Sequence, residues 1–158
     1  MTYKLAPTGS TKGPASTCLI EITLSSAQTA SSGDVVAFDT IASTSTPALS
    51  LNTSTGEITL DTSKHYYIQA SIQVDRSSTT SSFSFAWIDS SGTVLTTSDG
   101  GYDANWEYHT GTNGDTATCT ANYITRSPTS AVRLKAVTLA TSSSVRTETT
   151  VFIMEVTP

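Results

Sequence analysis

Residues 65–75 alternate without a break: Tyr66, Ile68, Ala70, Ile72 and Val74 fall on one side, Tyr67, Gln69, Ser71, Gln73 and Asp75 on the other. A helix turns by about 100° per residue and would scatter those apolar positions around its circumference, whereas a strand collects them on one face. A sheet with one buried face is therefore the centre of the fold. The same period recurs at Cys18, Ile20, Ile22 and Leu24, at Phe83, Phe85 and Trp87, and at Ala117, Cys119, Ala121 and Tyr123. Further strands are predicted over 35–41, 48–51, 57–60, 93–95, 132–139 and 149–156. Turn residues punctuate them, at Ser32-Gly33-Asp34, at 52–56 ending in Gly56, and at Asp89-Ser90-Ser91-Gly92. Residues 25–34 read as a polar connection, and 98–114, rich in Gly, Asp and Asn, as the longest irregular stretch.

No segment has a helical period, and serine and threonine fill much of the chain. A chain of 158 residues is the usual size of one domain and can bury a core without disulfide or metal. About eight to ten short antiparallel strands with regular turns predict an all-β jelly-roll β-sandwich. Residues 1–16 hold two prolines and two glycines and no periodicity, so they are predicted to be an extended N-terminal arm ahead of a domain over 17–158.

The net charge is -5, and the eight Lys and Arg are spread along the chain, which excludes the clustered positive field that nucleic acid demands. No apolar run approaches the roughly 18 residues of a membrane span, and the first residues lack the apolar stretch of a secretory signal. Synthesis in a cytoplasm without export is the expectation. Cys18 and Cys119 each sit in a strand pattern and fit either two buried thiols or one long-range disulfide; no spacing suits a metal.

Catalytic chemistry finds no footing. A strained Gly-x-Ser-x-Gly elbow is absent, and His65 and His109 read as strand-edge and loop residues. Asp99, Asp103, Glu107 and Asp115 surround His109, but their spacing fits no calcium loop, so no catalytic residue, metal or cofactor is expected. Tyr102, Trp106 and Tyr108 form a possible ligand loop whose rings either stack on a sugar or anchor the loop to its own domain.

Two strands break the one-sided pattern. Residues 151–156 and 132–139 carry apolar side chains on both faces, although an antiparallel sandwich strand ordinarily shows one face to water. With no helix to lie over the sheet, another copy of the chain is the expected cover.

Several phrases then resemble the tumour-necrosis-factor and complement-globular-head superfamily of trimeric jelly rolls. They are Val36-Ala37-Phe38-Asp39-Thr40-Ile41, the turn Asn52-Thr53-Ser54-Thr55-Gly56 leading into Glu57-Ile58-Thr59, the strand Tyr66-Tyr67-Ile68-Gln69-Ala70, and the closing Val151-Phe152-Ile153. The resemblance runs from about Cys18 to the C-terminus; His65 departs from it, standing where the family has glycine. It implies a homotrimer in which one sheet of each copy faces a shared axis, with Tyr67, Phe152 and Met154 at the contact; the alternative is that these residues fill a monomer's core.

The single domain, the arm and the Ser/Thr richness resemble virion surface proteins of tailed bacteriophages. That resemblance implies a non-enzymatic capsid decoration, or cement, protein. It would be made in the host cytoplasm and displayed on the virion surface, clamping neighbouring subunits of the major capsid protein, with neither nucleic acid nor membrane as partner. An arm of this length reaches up to roughly 50 Å, and Tyr3, Leu5 and Pro7 are its candidate capsid contacts. The alternative is the receptor- or glycan-binding tip of a phage fibre or spike, with the Tyr102, Trp106 and Tyr108 loop at its distal end.

Overall fold

The structure is a computed structural model that describes residues 18–44, 49–75, 80–95, 107–110, 116–125, 130–139 and 143–156. Twelve strands are defined there: β1 (Cys18–Thr23), β2 (Gln28–Ala30), β3 (Thr40–Thr44), β4 (Ser50–Asn52), β5 (Glu57–Thr59), β6 (His65–Asp75), β7 (Thr80–Asp89), β8 (Glu107–Thr110), β9 (Thr116–Ile124), β10 (Ala131–Thr138), β11 (Ser143–Val145) and β12 (Thr150–Val156). The arm and its boundary with the domain lie outside the described residues.

The strands form two antiparallel sheets packed as a jelly-roll sandwich. In the first, β6 is central: β9 lines one side, and β12, β1 and β3 follow on the other, with β11 and β2 beside the far end of β6. The second runs β4, β5, β10, β7, β8. The alternation along β6 is realised in full, with Tyr66, Ile68, Ala70, Ile72 and Val74 buried and the intervening residues half-buried on the opposite face. Opposing them from the second sheet are Phe83, Phe85, Trp87, Val132 and Leu134, all at 2% exposure or less. The Trp87 indole N–H donates to the Ala121 carbonyl at 3.0 Å, so the largest core side chain also ties one sheet to the other.

The chain between β2 and β3 corrects the expectation of one strand over 35–41. Gly33, Asp34 and Val36 hydrogen-bond along β10 in the second sheet, through Gly33 N to Ala136 O (2.8 Å), Ala136 N to Asp34 O (2.9 Å) and Val36 N to Leu134 O (2.9 Å). By Thr40 the chain has crossed to pair with β1 in the first sheet. Val36 and Phe38 are buried because they plug the sandwich at this crossing, which mimics strand alternation in the sequence. The crossing is held by a side chain acting as backbone: the Gln28 amide donates to Ala37 O (2.6 Å) and accepts from Ala37 N (3.0 Å). Gly56 sits against it at φ 67°, and a Cβ there would overlap the Val36 carbonyl oxygen.

A second correction concerns β10. Val132, Leu134 and Ala136 point inward, so its other face carries Arg133, Lys135 and Val137, not a second apolar row. The Arg133 guanidinium donates to the carbonyls of Asp89 (3.2 Å) and Ser90 (2.8 Å), and its Nε lies 3.9 Å from the Glu57 carboxylate. Directly opposite Arg133 and Lys135 on β7, and so on the same side of the sheet, stand Ile88 and Ala86, both buried.

Cys119 is buried on β9, opposite Ile72. Cys18 lies on β1, three strands away across β6 and β12. Three strand spacings are about 14 Å, roughly twice the Cα separation a disulfide spans.

Candidate functional site: the outer face of the first sheet

Strand registers assemble the outer side chains of the first sheet into rows. At one end Ile124 of β9, Tyr67 of β6 and Met154 of β12 stand directly opposite one another. The next row reads Asn122, Gln69, Phe152, Glu21 and Ser43, and the next Thr120, Ser71, Thr150, Thr23 and Thr40. Past them, Thr116 and Asp75 meet Arg146. The face therefore grades along the strands from apolar through amide and hydroxyl to charged.

Its apolar end gathers the three residues expected from sequence. Tyr67, Phe152 and Met154 lie on one surface, each half-buried, and among the described residues no further layer lies over them. The Tyr67 hydroxyl donates to Asn122 Oδ1 at 3.1 Å, which lays the ring across the β6–β9 pair and leaves its hydroxyl satisfied. On β12 the two-sided apolar pattern holds: Val151 and Ile153 are fully buried while Phe152 and Met154 face outward. Sequence reasoning missed Ile124. Its signal is its parity, one residue past Tyr123 and so on the opposite face from the buried Ala117, Cys119, Ala121 and Tyr123.

The charged end is a closed network. Arg146 donates to both Asp75 oxygens (3.1 and 3.2 Å) and to both oxygens of Glu148 (3.1 and 3.0 Å). The Arg146 guanidinium holds the Glu148 carboxyl down to about 2, and Glu148 and Asp75 push the Arg146 value up. At the apolar end's rim, Lys64 pairs with Glu155 at 2.7 Å, and that hydrogen bond raises the Lys64 value. The carboxyls of Asp61 and Asp89 are lowered chiefly by hydroxyl and backbone donors in their own turns, Ser63, and Ser91 with Thr93, and that of Asp39 by the hydroxyl and backbone N–H of Ser25, which lies after β1 in a separate stretch of chain. These carboxylates tie the backbone together, and among the described residues no group of three His, Cys, Asp or Glu is placed to hold a metal.

Tyr3, Leu5, Pro7, Tyr102 and Trp106 lie outside the described residues, as do Asp99, Asp103 and Asp115. Tyr108 falls in β8, opposite Ser82 of β7, with His109 next to it opposite Ser81. Residues 107–110 are thus strand, a correction to the irregular stretch expected over 98–114.

The fold and this face define a jelly-roll sandwich with one sheet turned outward. No protein-family model matches the chain, and no curated protein matches it by sequence. Solved structures do match in fold. The Eiger TNF of S. frugiperda superposes with a TM-score of 0.62 at 10% identity, covering 87% of this chain and 91% of that one. The globular domain of the zebrafish complement 1qA protein gives 0.55 at 8% identity, covering 87% and 95%. Murine APRIL gives 0.55 at 7% identity, covering 88% and 98%. The fold is that of the tumour-necrosis-factor and complement globular-head jelly rolls.

Proposed function

We propose that this chain is a non-catalytic structural protein that assembles as a homotrimer through the outer face of its first sheet, with Tyr67, Phe152 and Met154 at the contact. The observation that carries the proposal is the row Ile124, Tyr67 and Met154 with Phe152 beside it, half-buried apolar side chains on a sheet face that the rest of the described chain does not cover. Completing the burial of such side chains is worth about 1 kcal/mol or more each, and three copies close a ring in which every face is used.

In its most specific form the protein decorates a bacteriophage capsid. It is made in the host cytoplasm and mounted on the virion surface, where each arm over residues 1–16 grips the major capsid protein. Linking three modest contacts makes rebinding faster than loss, so the trimer holds where one arm would not. Neither nucleic acid nor membrane is a partner, since the eight Lys and Arg are dispersed and the outer rows end in carboxylates as well as cations. Native mass spectrometry of the purified chain is expected to give a trimer, and the trimer to co-sediment with capsids. A trimer that binds capsids equally well after removal of residues 1–16 overturns the arm, and a monomer overturns the assembly.

A further inference from the structure

The middle row of the first sheet's outer face has unequal flanks. Asn122 of β9 and Gln69 of β6 lie to one side of Phe152, and Glu21 of β1 and Ser43 of β3 to the other, each in register with the next. Asn122, Gln69 and Glu21 are half-buried. The Asn122 Oδ1 accepts from the Tyr67 hydroxyl at 3.1 Å, so its NH2 is the end of that amide left to donate outward. Among the described residues neither the Gln69 amide nor the Glu21 carboxylate has a hydrogen bond or ion pair. One flank of the row thus offers donors, and the other an unmatched acceptor.

Symmetry decides what these flanks meet. A rotation about a shared axis keeps every residue at its own height along that axis, and in a ring of three each copy turns one flank to the next copy and the other flank to the last. The face grades along its strands from apolar to charged. Strands running along the axis therefore set apolar row beside apolar row, whereas strands lying across it would press the Tyr67 and Met154 row against the Arg146 network. β12 stands midway between β9 and β3, which brings Phe152 and Met154 nearest the axis and leaves the flanks to meet their neighbours.

We propose that the side-chain amides of Asn122 and Gln69 on one copy donate to the Glu21 carboxylate of the next, and that this pairing sets the height at which the copies join. The inference rests on the proposed trimer. A carboxylate carried under a sister copy loses its hydration, and amide N–H groups facing it replace the lost water with charge-assisted hydrogen bonds. The described cations towards the two ends of the sheet are already engaged within the chain, Lys64 by Glu155 at 2.7 Å and Arg146 by Asp75 and Glu148, so the amides at the same height are the donors left for Glu21. A copy shifted along the axis by one row would set Glu21 against the apolar row or the hydroxyl row instead, which makes the pair a determinant of register.

The test is sedimentation equilibrium of the full chain as wild type, Asn122→Asp, and Asn122→Asp combined with Glu21→Lys, with circular dichroism to check folding. Asn122→Asp keeps an acceptor for Tyr67 but sets a carboxylate opposite Glu21 of the next copy. It is expected to weaken association by about tenfold or more, and the added Glu21→Lys to bring it back to within about threefold of wild type. The two positions are three strand spacings apart in one chain, about 14 Å, so the rescue passes between copies. Glu21→Cys with Asn122→Cys, in a Cys18→Ser background, reads the same contact covalently: oxidation is expected to give linked dimers and trimers on a non-reducing gel, and neither single cysteine variant to do so. A trimeric wild type whose Asn122→Asp variant associates undiminished, or is not rescued by Glu21→Lys, overturns the pairing and leaves the trimer standing, and so does cross-linking by either cysteine alone as readily as by the two together. A wild-type monomer removes the trimer and the pairing together.

Discussion

The two sheets present opposite kinds of outer face, although the sequence predicts an apolar second face for a strand in each. On β12 the outward residues are Phe152 and Met154; the row of Met154 is apolar across three strands, while Phe152 stands between Gln69 and Glu21. On β10 they are Arg133, Lys135 and Val137, and Arg133 is bonded into the β7 turn at Asp89 and Ser90. The difference lies in the neighbours. An apolar residue on a second face becomes a patch where the adjacent strands place apolar residues in the same row, as Tyr67 and Ile124 do for Met154, whereas on the second sheet it is the charged Arg133 and Lys135 that stand opposite the buried Ile88 and Ala86. Exposed rows, not single exposed residues, mark a surface that needs a partner.

The comparison breaks first under charge. Met154→Lys is expected to weaken self-association by about a hundredfold or more, because it sinks an unpaired cation into the face proposed to be covered, while Lys135→Glu on the other sheet is expected to leave the assembly unchanged. Equilibrium dissociation constants for the two variants decide it, and equal losses would erase the distinction between the faces.

Stability separates the two sides of β12 itself. Ile153→Ala empties a fully buried site and is expected to cost about 2–4 kcal/mol in denaturant unfolding, against under about 1 kcal/mol for Met154→Ala measured on the dissociated chain. On the second sheet, Arg133→Ala removes two donors from backbone carbonyls and is expected to cost about 1 kcal/mol, with no change in oligomeric state. The smallest effect belongs to the charged end of the first sheet. Glu148 has its value lowered to about 2 from 4.5, so its contribution is present above pH 4.5 and is lost as pH falls towards 2. Glu148→Gln should therefore flatten the acid limb of a stability–pH curve between those values and leave the neutral limb alone.

Most of the sandwich was legible because long half-buried strands write their geometry as a period of two. β6, β9 and β12 announce themselves, and parity turns Tyr67, Phe152 and Met154 away from the buried side of their own strands, while their grouping at one contact is what the family resemblance implied. The three-residue strands β2 and β11 and the four-residue β8 were not legible, since Gln28, Ser144 or Glu107 is strand by virtue of its hydrogen-bonded neighbour and not of its own pattern. The crossing at 33–39 misled for a related reason: Val36 and Phe38 alternate with polar residues, yet the backbone bonds first to one sheet and the next stretch to the other. Rows across strands depend on register, which no single segment encodes, and so Ile124 joined the face only once β9 was aligned with β6.

The central claim is that the Tyr67, Phe152 and Met154 surface is covered by sister chains. Sedimentation velocity of the wild-type chain and of Met154→Lys at neutral pH tests it most directly. A single boundary at three times the chain's mass for wild type, falling to one chain's mass in the variant, is the expected result; a wild-type boundary at one chain's mass contradicts it.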